Sequence, residues 1–343
     1  MKKYVFLSLI LLLSLTITAC SGRTYVPQNV TTVNYNNYLN GNAVCFTDDA
    51  LYDVKHIFGM HLYKITAEGQ KHLKSINPGD VNFQAYGDTI YYLKDMSEFK
   101  DEYALAAYEE EKNKFKNIKV LGDVDITFFL IIDDFVYYYG LNTNREKDLM
   151  VYSMKTDEIR SIAEVVETVG VMGDNIVYVK KEKGSYLLYS YDYQNNQSRL
   201  LKKLPFEAEG SLFEFNFTEK YVIIFGDYDD KPTDNGERNQ KGFIKVYDIE
   251  QDKVISNYES NEYMGTFVAF NDYAFFTLTD NNDTSTLNRI KLSDGSCELI
   301  KSIPGNLVYV HVTSDEEVYA TSVASHDIIL YTIDGSETII NPT

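Results

Sequence analysis

The apolar positions of this chain fall into two regimes. Val5–Ile17 is a nearly unbroken apolar run of 13 residues behind Lys2 and Lys3. From about residue 31 onward, apolar residues come in short alternating bursts between polar turns. The bursts repeat. A turn, usually holding Asp or Asn, opens each of seven strand cores: Ala43-Val44-Cys45-Phe46, Thr89-Ile90-Tyr91-Tyr92, Phe135-Val136-Tyr137-Tyr138, Asn175-Ile176-Val177-Tyr178, Tyr221-Val222-Ile223-Ile224, Tyr273-Ala274-Phe275-Phe276 and Glu317-Val318-Tyr319-Ala320. They recur at intervals of 40 to 52 residues. Aromatic and β-branched residues in such runs are a strand signature.

A second strand follows most cores, as in Leu187-Leu188-Tyr189-Ser190-Tyr191 and Ile329-Leu330-Tyr331-Thr332-Ile333. A polar turn such as Asp294-Gly295 or Asp334-Gly335 then leads to a short outer strand. An apolar segment, for example Glu214-Phe215-Asn216-Phe217, precedes each core. Four short strands in every 40 to 50 residues mark a propeller blade. The pattern predicts an all-β protein, a seven-bladed β-propeller of four-stranded antiparallel blades, filling residues 31–343 as one domain. The second repeat is the weakest. Ala104-Leu105-Ala106-Ala107 and Glu109-Glu110-Glu111-Lys112 are good helix formers. Their phase against the other repeats favours a strand pair over a helical insertion.

This organisation resembles the TolB-like and low-density-lipoprotein-receptor-type propeller domains of exported bacterial proteins. The shared elements are the Asp-x-Ile-Tyr-Tyr strand at residues 88–92 and the Leu-Tyr-x-Ile-Asp-Gly hairpin at residues 330–335. The Tyr-Trp-Thr-Asp motif of the receptor class is absent, as is all tryptophan. The resemblance therefore implies a fold and carries no ligand chemistry with it.

The first apolar run is too short for a membrane span, which needs roughly 20 residues, and suits a signal-peptide core. It ends in Ile17-Thr18-Ala19-Cys20, the pattern of a bacterial lipobox. The expectation is a lipoprotein signal peptide over residues 1–19, a lipidated Cys20, and a flexible tether over residues 20–30. An ordinary signal peptide with a chance cysteine is the plainer alternative. Ser21 follows the cysteine, so no Asp stands there to retain the protein at an inner membrane. The expected location is the outer membrane of a two-membrane bacterium, or the outer leaflet of the plasma membrane where there is only one.

A formal net charge of −19 argues against nucleic acid as a partner, since that binding runs on Lys and Arg. Membrane contact is expected through the lipid alone. Beyond Cys20 only Cys45 and Cys297 remain, and their places in the repeat predict that they are not bonded to each other. No zinc, phosphate-loop, dinucleotide or nucleophile-elbow motif is present. The five histidines read as surface or hairpin residues, and no cofactor is expected. One loop, Asp227 to Glu237, gathers enough acid for Asp227, Asp229, Asp230 and Asp234 to offer calcium its oxygen ligands. Its spacing departs from the EF-hand, and a solvated excursion is the simpler expectation. The first blade has a comparable excursion, Asp48 to Gly59, carrying Tyr52, His56 and Phe58. With Tyr228, these form the candidate rim-loop contacts.

The leading functional expectation is a membrane-anchored surface lipoprotein whose propeller is a non-catalytic binding or scaffolding module for protein or envelope glycan. The first alternative is a carbohydrate-active hydrolase or lyase with carboxylates near the propeller axis, supplied by strands rather than by a linear motif. The second is a structural member of an envelope assembly complex.

Overall fold

The computed structural model describes residues 44–47, 49–56, 60–66, 68–76, 81–96, 102–173, 175–206, 211–229, 240–280, 284–305, 307–322 and 328–340. They form seven antiparallel sheets, each of four strands consecutive in sequence. Blade 1 comprises Val44–Phe46, Leu51–His56, Met60–Thr66 and Gly69–Ile76. Blade 2 comprises Val81–Tyr86, Thr89–Asp95, Tyr103–Glu109 and Lys114–Gly122. Blade 3 comprises Val124–Ile132, Phe135–Leu141, Lys147–Ser153 and Glu158–Ala163. Blade 4 comprises Thr168–Met172, Asn175–Glu182, Ser185–Asp192 and Gln197–Leu204. Blade 5 comprises Ser211–Phe217, Tyr221–Asp229, Gln240–Asp248 and Lys253–Glu259. Blade 6 comprises Tyr263–Phe270, Tyr273–Thr279, Thr284–Lys291 and Cys297–Pro304. Blade 7 comprises Leu307–Val312, Glu317–Ser322, Ile328–Thr332 and Glu337–Ile339. The protein is a seven-bladed β-propeller. First strands of neighbouring blades approach one another, which makes the first strand of each blade the inner one.

The second repeat is a strand pair. Ala104, Leu105 and Ala106 are fully buried in the third strand of blade 2, and burial there overrides their helix propensity. Among the described residues of that repeat, one 3₁₀ turn, Glu110–Lys112, is all that is helical.

Each blade buries its faces against its neighbours. Phe83 and Tyr92 stack at 5.3 Å in the seam between blades 1 and 2, and Phe225 and Phe267 at 4.4 Å between blades 5 and 6. Blade 7 meets blade 1 by the same means. Phe46 and Tyr319 stack at 5.8 Å within a cluster that includes Val44, Leu51, Val310 and Tyr331. Among the described residues no strand is exchanged at this closure. Between blades 2 and 3 a side chain does the work of a strand. The Gln84 amide donates to the carbonyl of Phe129 and accepts from the Ile131 N–H at 2.9 Å.

A recurrent device explains part of the tyrosine count. In blades 2 to 5 a third-strand tyrosine donates its hydroxyl to the residue five positions on, in the turn before the fourth strand. The pairs are Tyr108 with Asn113 (2.9 Å), Tyr152 with Asp157 (3.2 Å), Tyr191 with Asn196 (2.9 Å) and Tyr247 with Asp252. All four acceptors have positive φ, between 45° and 58°. Blades 1, 6 and 7 carry Lys64, Ile290 and Leu330 at the tyrosine position, and there the turn residue is Gly69, Gly295 or Gly335. The rule has a simple cause. Asn and Asp tolerate the left-handed region, and the phenol compensates; without the phenol, glycine takes over. Asn196→Ala is therefore expected to cost about 1–2 kcal/mol from backbone strain plus about 1 kcal/mol for the lost hydrogen bond, and Asn196→Gly only the latter. Denaturant midpoints check this, and equal losses would contradict it.

One strand assignment is corrected. Val44-Cys45-Phe46 forms the inner strand of blade 1, and the second strand is Leu51–His56. A tight turn separates them, closed by the Thr47 N–H on the Ala50 carbonyl (2.9 Å) and the Thr47 hydroxyl on Asp49 (2.7 Å). The Asp48–Gly59 stretch thus contains a whole strand. Cys45 is buried and Cys297 exposed, and both are free.

Candidate functional site

In a propeller of this connectivity, the links between blades and the connections from second to third strand share one rim. The inner strands begin at that rim. In blade 5, Phe213, Phe215 and Phe217 turn toward the blade 4 seam. Alternation then forces Glu214 and Asn216 onto the other face. Glu214 lies opposite Phe225, and Asp227 lies opposite Leu212. The two carboxylates accordingly share a face of the two innermost strands, one diagonal apart. Such diagonal neighbours stand roughly 7–8 Å apart. Phe225, stacked on Phe267, supplies an apolar side to the site.

Both carboxyls are perturbed in the same direction. Asp227 is half-buried; its Oδ1 accepts the Met264 N–H at 2.9 Å, yet loss of water raises its pKa above the ordinary carboxylate value. Glu214 keeps contact with solvent, but the protein around it excludes enough water to raise its pKa too, with Lys147 acting weakly in the opposite sense.

Lys147 opens the third strand of blade 3, with its Nζ 5.2 Å from the Tyr139 ring centroid. Its surroundings are tied down. The Val166 N–H donates to the Lys147 carbonyl at 2.9 Å, and the Val165 N–H to Asp148 at 3.0 Å. The loop before it is held by Asn142, whose Oδ1 accepts the N–H groups of Asn144 (2.9 Å) and Glu146 (3.0 Å), and by an Arg145–Asp123 ion pair at 3.1 Å. Two carboxyls with raised pKa beside a cation can move protons at a bond held between them.

The residues singled out from the sequence are distributed differently. Tyr52 is a buried strand residue, not a rim-loop contact. It lies at the far end of its strand, its hydroxyl donating to Glu110 at 3.3 Å beside Lys64, and burial pushes its pKa up to about 12. His56 closes that strand. Phe58 lies outside the described residues. Asp227, Tyr228 and Asp229 belong to the second strand of blade 5 and not to a loop. Asp230 and Asp234 lie outside the described residues, as does Cys20. Among the described residues no group of three or more His, Cys, Asp or Glu is gathered for a metal ion. Glu214 and Lys147 were not legible as site residues. The available signal was a lone charge within Phe213-Glu214-Phe215-Asn216-Phe217, where one face of an inner strand is polar.

No family model matches the chain, and no curated protein matches it. Solved structures do. A prolyl endopeptidase, from a study of inter-domain dynamics in catalysis and specificity, aligns with a TM-score of 0.59 at 12% identity, covering 95% of this chain and 53% of that one. The β-propeller domain of the Trilobed protease from Pyrococcus furiosus, described as having an open velcro topology, aligns with a TM-score of 0.56 at 14% identity, covering 85% of this chain and 93% of that one. An oligogalacturonate lyase in complex with manganese aligns with a TM-score of 0.51 at 11% identity, covering 86% of each chain. The chain spans about half the length of the prolyl endopeptidase. At these identities the likeness is one of fold. Against the leading expectation of a non-catalytic binding or scaffolding module, the structures that share this fold are propellers of peptidases and a lyase. The manganese is a property of that lyase.

Proposed function

We propose that this is a hydrolase-related propeller acting on carbohydrate, with Glu214 and Asp227 as its acid–base pair. The observation that carries the reading is their placement on one face of the inner strands of blade 5, each with a raised pKa. Lys147 favours the ionised form of Glu214, which serves as the base that takes a proton from water. Asp227, its Oδ1 fixed by Met264, carries its proton on Oδ2 and gives it to the departing sugar oxygen. In this assignment the acid and the base act on opposite sides of the scissile bond through an intervening water molecule, the arrangement that inverts the anomeric centre. Proton NMR of the first-formed product tests this. Inversion is expected, and retention of configuration would refute the assignment. An unsaturated sugar product would instead move the reaction to the lyase class.

A second reading is favoured by the peptidase neighbours. In it the propeller works beside a separate hydrolytic domain or chain. Turnover of glycan by the purified chain alone separates the two readings.

The same proposal places the propeller outside the cytoplasm, held by lipid on Cys20. It is supported by the Lys2-Lys3 charge, the apolar run and Ile17-Thr18-Ala19-Cys20. Cys20→Ala is expected to release the protein from membranes and abolish labelling by a fatty-acid analogue. Unchanged membrane retention would count against lipidation.

A further inference from the structure

We infer that His61 and His72, on the outer half of blade 1, form an open two-imidazole site for a divalent transition metal of tetrahedral preference, with zinc as the fitting case. His61 Nδ1 and His72 Nε2 stand 3.3 Å apart. Two zinc–nitrogen bonds of about 2.0–2.1 Å at the tetrahedral angle place their nitrogens roughly 3.3–3.4 Å apart. The pair therefore already holds the spacing a bound ion imposes.

The backbone builds this pair. The third and fourth strands of blade 1 shift register between Leu62 and Tyr63, so that His61 faces Ser75 while Tyr63 faces His72. Leu73, buried, takes up the extra residue. The bulge brings His72 and Ser75 onto the face that carries His61 and Tyr63. Without it, residues three apart on a strand would point to opposite sides.

The rings are also oriented. His61 and His72 meet edge-on at 5.3 Å between centroids, and Tyr63 lies against His72 at 5.2 Å. The Ser75 hydroxyl is 3.2 Å from His61 Nδ1, within reach of a water on the metal. Fixed ring orientation is what second-layer contacts give a metal ligand. His72 is exposed and His61 half-buried, so an ion has a way in.

In the metal-free state the two nitrogens share one N–H···N hydrogen bond. Binding requires both to present lone pairs, so the bridging proton moves by way of solvent to a far ring nitrogen. With two protein ligands the remaining positions are filled by water, which makes the site weaker than a closed cage and open to exchange.

Titration of the untagged full chain with zinc chloride, followed by calorimetry, tests the inference. One zinc per chain is expected, with affinity falling at least tenfold in His61→Gln and in His72→Gln. Cobalt(II) added in place of zinc is expected to show the intense visible bands of a tetrahedral site. Both substitutions lie at solvent-accessible positions, and near-ultraviolet circular dichroism verifies that each variant is folded. Absence of zinc binding to the wild type, or binding that survives both substitutions unchanged, overturns the inference. Because blade 1 is remote from Glu214 and Asp227 in the chain and in the ring, failure here leaves the acid–base proposal standing, and the reverse also holds.

Discussion

Phe46→Ala is expected to destabilise the protein by about 3–5 kcal/mol, the range for deleting a fully buried aromatic ring from a core. Phe46 is fully buried and stacks on Tyr319 across the seam where the last blade meets the first. The other seams are joined by covalent chain continuity as well as by packing. Among the described residues this one depends on side chains, with Val44, Leu51, Val310 and Tyr331 around the ring. The loss should therefore show as more than a lower melting temperature. Hydrogen exchange in the blade 1 and blade 7 strands is expected to speed up at denaturant concentrations where blades 3 to 5 stay protected. Uniform loss of protection around the ring would contradict this view of the closure.

Glu214→Gln is expected to act in opposite directions on turnover and on stability. As the general base, its removal should cost about 10²–10⁴-fold in turnover. Its stability effect follows from the sign of the pKa shift. Folding raises the carboxyl pKa above the unfolded value near 4.5, so the folded state holds the proton more tightly. That contribution is fully present below the unfolded pKa and is lost as pH rises through the folded one. Above the folded pKa the wild type carries a carboxylate whose ionisation folding disfavours, and the neutral amide should melt higher. At pH values well below 4.5 both forms are uncharged, and the difference should vanish. Melting temperatures across pH 3 to 8, set on either side of the ordinary carboxylate range, check the trend. A variant that melts lower than wild type at neutral pH would show that Glu214 stabilises the fold and is no functional carboxylate.

The blade count was legible in the sequence because each blade repeats the same hydrophobic alternation, and Tyr103-Ala104-Leu105 kept that phase even among helix formers. The inner strand of blade 1 was misread as a second strand. It has three residues, all buried, and such a strand lacks the alternation that separates inner from second strands. The site was hidden for a different reason. Glu214 and Asp227 are thirteen positions apart, and only the strand register puts them on one face. His61 and His72 meet because of a bulge, which no spacing rule announces. The tyrosine that caps each αL turn, by contrast, was present in the sequence as Tyr-x-x-x-x-Asn/Asp in four blades. It is readable once the turn geometry gives a reason to look.

The most direct test of the acid–base account is turnover of neutral and acidic oligosaccharides by the purified chain beside Glu214→Gln and Asp227→Asn, each variant verified as folded by its melting curve. The account predicts measurable cleavage by the wild type, with a loss of about 10²–10⁴-fold in either variant. Cleavage that proceeds equally in all three proteins, or no cleavage of any oligosaccharide by the wild type, would contradict it.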